Sequence, residues 1–122
     1  MRLARVILRV ADMDRAVRFW SETVGLEIVF GSPTFTFMVA GGTQLLLNQV
    51  DGSADPGSTE LVFEVDDVET EYQRLSERGV PFEVEPRPVT TDGERDLLAA
   101  HFHDPDGNLA SLTGWVRRDD QR

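Results

Sequence analysis

The sequence contains no cysteine, so disulfides, thiolate nucleophiles and zinc–sulfur sites are excluded. It contains no lysine either. All twelve basic residues are arginine, which excludes Schiff-base catalysis and the phosphate-gripping lysine of a P-loop. Positive charge is scarce overall: 12 basic against 22 acidic residues give a formal net charge of −10. Nucleic acid and anionic lipid need a basic footprint that this balance withholds, so neither nucleic acid nor a membrane is expected as a partner. No apolar run approaches the ~18 residues of a membrane span. The first ten residues carry three arginines and do not read as a signal peptide. A cytoplasmic location is the expectation.

What is present fits one small α+β domain. The chain has 122 residues, 40% of them hydrophobic, enough for a single compact core over residues 1–122. Charge divides unevenly: residues 1–55 hold 5 Arg and 6 acids, net −1, whereas residues 56–122 hold 7 and 16, net −9. The divide falls in a turn-rich stretch, Asp51-Gly52-Ser53-Ala54-Asp55-Pro56-Gly57-Ser58, expected to link two modules of about 1–50 and 58–118.

Both halves show one order of elements. In the first, Ala4–Val10 alternates as a strand, with Val6, Leu8 and Val10 on one face and Arg5, Ile7 and Arg9 on the other. Asp12 caps a helix over Met13–Val24 that Gly25 ends, and Trp20 belongs to the core. Strands follow at Glu27–Phe30, Thr34–Val39 and Gln44–Asn48. In the second half, Leu61, Phe63 and Val65 alternate with Glu60, Val62 and Glu64. Asp67 caps a helix reaching Arg78, Gly79 ends it, and strands follow at Val80–Glu85, Leu97–His103 and Leu109–Val116. Val10, Asp12, Ser21 and Glu22 recur 55 positions later as Val65, Asp67, Ser76 and Glu77. This reads as a tandem β-α-β-β-β repeat.

The residues Val6-Ile7-Leu8-Arg9-Val10-Ala11-Asp12-Met13-Asp14-Arg15-Ala16-Val17-Arg18-Phe19-Trp20, then Leu61-Val62-Phe63-Glu64-Val65-Asp66-Asp67-Val68 and Phe102-His103-Asp104-Pro105-Asp106-Gly107-Asn108, together resemble the vicinal oxygen chelate superfamily. That superfamily includes glyoxalase I, extradiol dioxygenases, fosfomycin-resistance enzymes and bleomycin-binding proteins. The resemblance implies paired modules forming an open, barrel-like mixed sheet with the helices outside, a ligand cleft, and a homodimer. Activity is not implied, because one scaffold hosts many chemistries.

In metal-dependent members the ligands stand at four positions that fall here, by the resemblance, on Arg5, Leu46, Glu60 and Ser111. Only Glu60 suits a divalent cation. Arginine has five donors, no lone pair and a fixed positive charge, so no metal and no cofactor are expected. The pseudo-twofold relation implied by the fold sets Arg5 opposite Glu60 and Arg9 opposite Glu64, and Arg5 is expected to pair with Glu60 in the space of the metal.

Strand parity then places Ile7, Arg9, Gln44, Leu46 and Asn48 on the ligand-binding wall from the first module. Val62, Glu64, Ser111, Thr113 and Trp115 join from the second. Phe35 and Phe37 share one strand face, for stacking on a planar ligand or, for at least one of them, packing beneath the first helix. His101 and His103 share a face as well, off the ligand positions, and an ordinary, partly exposed role is expected for both. Residues Glu83–Asp96, with prolines at 86 and 88, read as a long loop able to act as a lid or only to connect. Catalytic candidates are confined to Glu60 and Glu64.

The function that follows is a metal-free protein sequestering a hydrophobic or cationic small molecule, such as an antibiotic. One alternative is a glyoxalase-like metal-dependent lyase, isomerase or dioxygenase. The other is a metal-free enzyme using Glu60 or Glu64 as acid or base.

Overall fold

The computed structural model describes residues 5–51 and 60–121. The linker stretch after Asp51 and the strand position expected at Ala4 lie outside the described residues. Among the described residues eight strands, two helices covering the sheets and a short 3-10 turn at Arg118–Gln121 fold as two compact units, each built on one four-stranded mixed sheet.

In the first unit β1 (Arg5–Val10) lies parallel to β4 (Thr43–Gln49), and β3 (Phe35–Ala40) and β2 (Glu27–Gly31) continue antiparallel, in the order β1-β4-β3-β2. In the second the order β5-β8-β7-β6 repeats this topology with β5 (Glu60–Glu64), β6 (Phe82–Thr91), β7 (Arg95–His103) and β8 (Leu109–Arg117). The repeat read from the sequence is therefore a repeat of strand order. It extends to the helix caps: Asp12 and Asp67 adopt nearly the same extended conformation, φ −136° and −141°, and each accepts a bond from the N–H three residues on.

The first helix begins as α1 (Met13–Val17) and runs on as a π-helical stretch, Arg18–Val24. Its end is set by Gly25, at φ 102°, whose N–H reaches back to the Trp20 carbonyl. A left-handed residue is easy only for glycine. The helix buries Met13, Ala16 and Trp20 against Leu8, Val10, Met38 and Leu47 on the sheet. Helix α2 (Val68–Glu77) covers the second sheet in the same way, burying Val68 and Leu75 on the side of Ala100, Phe102, Ala110 and Leu112. Beside it Gly114 permits a close approach. A Cβ there would lie 2.8 Å from the Val65 carbonyl oxygen.

Two expectations are corrected here. Glu83–Asp96 is not a loop: β6 extends to Thr91 and a tight turn at Asp92-Gly93-Glu94 leads into β7. Proline removes a ladder donor, which an interior strand does not tolerate. β6 is an edge strand, though, and register shifts between Val84 and Arg87 and between Pro88 and Thr90 accommodate Pro86 and Pro88. Nor do Phe35 and Phe37 pack beneath α1. The residues that turn to the helix side are Thr36 and Met38, with Thr36 Oγ1 3.3 Å from Met13 Sδ, while Phe35 is exposed and Phe37 meets Phe30 at 5.9 Å.

The turn Asp104–Asn108, which chain order assigns to the second module, belongs to the first compact unit. Asp104 Oδ1 accepts the N–H groups of Asp106 and Asn108, closing the turn. Its Oδ2 accepts Asn108 Nδ2 and the buried Trp20 indole N–H. Asp106 Oδ1 accepts Ala11 N and Arg15 Nη2, both at 2.8 Å. Each acid of the Asp-Pro-Asp-Gly-Asn motif thus satisfies donors near the first helix.

Candidate functional site

One face of each sheet is covered by its helix, and the other carries the residues expected to meet a ligand. In the first unit Arg5, Ile7 and Arg9 pair in register with Gln44, Leu46 and Asn48, so all six share the open face. Ile7 is 55% exposed, Leu46 is buried, and Arg5 Nε donates to Gln44 Oε1 at 3.2 Å. Phe30, Phe35 and Phe37 continue this face through β3 and β2. It is cationic at one edge and aromatic at the other.

The open face of the second sheet has a different character. Glu60, Val62 and Glu64 stand in register with Leu109, Ser111 and Thr113, and β7 adds His103, His101 and Ala99. His101 is partly exposed and meets two groups on this face. Its Nδ1 shares a 3.0 Å hydrogen bond with Ser111 Oγ and lies 3.9 Å from Glu60 Oε1. His103 is hydrogen-bonded through Nδ1 to Glu83. A signal for this was present. The tight turn centred on Asp106 pairs positions equidistant from it, which sets 101 opposite 111 and 103 opposite 109.

The Glu60–His101–Ser111 cluster is not a nucleophilic triad. A triad uses both ring nitrogens, one for the nucleophile and one for the orienting carboxylate, but here both neighbours face Nδ1. Ser111 is also only 1% exposed, so its hydroxyl fixes the imidazole and does not face a substrate. Thr113 is similarly occupied, donating to the Phe63 carbonyl. At the far end of this face the Arg95 guanidinium lies 4.8 Å from the Trp115 ring centre, and Asp92 holds Arg95 through two contacts of 3.0 and 2.9 Å. Backbone N–H groups of Arg95 and Glu94 also bind Asp92, and these bonds with the guanidinium hold its carboxyl below the usual aspartate range.

The side chains at the four positions that the resemblance assigns to metal ligands do not suit an ion. Arg5 and Leu46 have no lone pair to give, and the Ser111 hydroxyl is buried against His101. Glu60 alone is a suitable donor. Among the described residues no three His, Cys, Asp or Glu side chains gather where a metal ion could be held. Two grooves among the described residues lie off these four positions. One of about 770 Å³ runs beside α1 on the helix side of the first sheet and includes none of the expected ligand residues. A second, of about 650 Å³, includes Trp115 with Leu98 and Asp67.

Two mixed sheets of identical strand order, each with one covering helix and one open face, define an α+β fold of two repeated modules. A family model described as the glyoxalase/bleomycin resistance protein/dioxygenase superfamily matches residues 2–112, and the chain belongs to that superfamily. It is 30% identical to the uncharacterised protein YurT of Bacillus subtilis over 92% of this chain and 98% of that one. It is 25% identical to the virulence protein STM3117 of Salmonella typhimurium, over 94% and 85%. Among solved structures it resembles TnmS3, an antibiotic binding protein from a Streptomyces species, at 28% identity and a TM-score of 0.76, covering 95% of this chain and 97% of that one. No helix among the described residues is long and apolar enough to cross a membrane.

Proposed function

We propose that this chain is a binding protein for a hydrophobic or cationic organic molecule, an antibiotic among the candidates, and that it holds the ligand without an ion at the four positions used by metal-dependent relatives. What supports this reading is the donor set: on the resemblance, Arg5, Leu46 and Ser111 fall at three of the four ligand positions. The likeness to an antibiotic binding protein over nearly the full chain supports it. Each unit offers apolar contact on its own open face, Ile7 and Phe35 in the first and Val62 and Trp115 in the second, and Glu60 and Glu64 on the second attract a cationic centre. Arg5, Arg9, Gln44 and Asn48 provide polar contacts from the first sheet. The exposed apolar side chains of both faces also favour a homodimer.

The test is a thermal-shift and calorimetric screen of antibiotics and cationic aromatic compounds against protein kept in a chelator. A true ligand at 100 times its Kd stabilises the fold by about 2.7 kcal/mol. E64Q is expected to weaken a cationic ligand about tenfold, the range of one charged contact. Binding that appears only after a divalent metal is restored would overturn the reading. A second reading, acid–base catalysis, is favoured by the 3.9 Å approach of Glu60 to His101. Turnover of any bound compound, lost in E60Q, would select it.

A further inference from the structure

We infer that His101 and His103 together form a binding site for one borderline transition-metal cation, such as divalent nickel, zinc or copper, on the open face of the second sheet. This goes beyond the proposed binding of an organic ligand and lies off the four family positions. The two histidines stand at i and i+2 on β7, opposite Ser111 and Leu109, with the fully buried Phe102 between them on the other face. Their side chains are 23% and 35% exposed, so an ion in solution can reach both.

The second observation is the state of the rings. Each Nδ1 is turned to an oxygen: His101 to Ser111 Oγ with Glu60 beyond it, and His103 to Glu83. An ionised Glu83 can only accept, so the proton of that bond sits on His103 Nδ1; the Ser111 hydroxyl can donate or accept, so an ion at Nε2 selects the His101 tautomer with its proton on Nδ1. The nitrogen left with a lone pair is then Nε2 on both rings. A carboxylate behind Nδ1 with Nε2 forward is the arrangement that fixes the tautomer and raises the basicity of metal-binding histidines. The Glu60 and Glu83 carboxylates approach these same rings, so a carboxylate stands on the Nδ1 side of each. Imidazole nitrogen suits borderline cations better than calcium or magnesium. With two protein ligands, water completes the coordination, and the site binds more weakly than a closed three- or four-ligand centre.

The experiment uses the untagged full-length chain, stripped with chelator and titrated with nickel or zinc by calorimetry and by imidazole ¹⁵N NMR. The chain has only two histidines, so both are followed directly. The expected result is one ion per chain, with both Nε2 signals shifting together. H103A should weaken binding by about tenfold or more. E83Q, which keeps both ligands, should weaken it by about 10–100-fold through the loss of the supporting carboxylate. No binding at millimolar metal, a shift at one ring only, or equal affinity in wild type and H103A would overturn the inference. The organic-ligand screen is run in chelator, so failure here leaves that reading standing, and the reverse also holds.

Discussion

Asp104 offers the sharpest test of how the turn motif is wired into the first unit. Its carboxylate accepts four bonds: Oδ1 takes Asp106 N at 3.0 Å and Asn108 N at 2.8 Å, and Oδ2 takes Asn108 Nδ2 at 2.9 Å and Trp20 Nε1 at 3.2 Å. Asparagine has the same shape, but only one of its two terminal atoms accepts. Whichever way the amide of D104N turns, its NH₂ faces two N–H donors in a buried place. Two bonds to a charged acceptor are lost, at about 1.5–3 kcal/mol each, less what relaxation recovers, so about 3–5 kcal/mol is expected. That is a large part of the ~5–15 kcal/mol available to a domain of this size.

The same substitution at Asp12 serves as the control. That side chain makes one exposed N-cap bond, to Arg15 N at 3.1 Å, and asparagine caps as well as aspartate, so D12N should change stability by less than about 0.5 kcal/mol. Urea unfolding followed by circular dichroism measures both. W20F removes the indole donor, so the cycle reports which way the amide turns: coupling of about 1 kcal/mol if its NH₂ takes the Oδ2 place, none if it takes the Oδ1 place. If D104N and D12N are equally mild, the account of this motif is wrong.

Other expectations follow from single contacts. G114A should destabilise the second unit by about 2–3 kcal/mol in chemical denaturation, because the new methyl meets a backbone oxygen at 2.8 Å and that oxygen cannot rotate away. G25A should cost about 1 kcal/mol, since alanine at φ 102° is strained; equal stability would show that the helix end shifts to absorb it. Asp92 should titrate by carboxyl NMR below the ordinary value of 3.8, and R95A should move it back upward. The sign is fixed by the direction: a depressed folded-state pKa gives stability that is present above the unfolded value and lost as pH falls through the folded one.

The parts of the fold legible in the sequence are those decided by local physics. Alternation assigned Val6, Leu8 and Val10 to one face of β1 and Arg5, Ile7 and Arg9 to the other, because burial on one side only leaves a period of two. Asp12, Asp67 and Gly25 marked helix ends for reasons internal to a turn of helix. What was hidden depended on neighbours distant in sequence. Pro86 and Pro88 spoke against a strand until β6 proved to be an edge, a fact set by the strand order and not by the strand. The orientation of Phe35 and Phe37 was lost similarly: parity grouped them correctly, but which group faces the helix depends on what the helix brings, and Met13 lies against Thr36.

The site shows the same limit and also a way past it. Strand order repeats, so registers in the two sheets can be compared position by position. Ile7, Leu46 and Phe37 in the first correspond to Val62, Ser111 and His101 in the second, with Arg5 and Arg9 answering to Glu60 and Glu64. The repeats have diverged at the open faces while keeping their helix-facing cores. A hydrophobic triplet on one sheet has become an aliphatic, hydroxyl and imidazole triplet on the other, with the flanking charge reversed. On the proposed function, each face has its own character: apolar contact on the first unit, a polar group at His101 on the second. F37L should therefore weaken binding of every hydrophobic ligand by similar factors, because it trims only shared apolar area. H101F, which restores the first sheet's residue at this position, should discriminate, costing most for ligands whose polar group the imidazole receives. Calorimetry with two ligands differing by one donor group decides it, and equal losses for both in H101F would show that the second face is no more selective than the first.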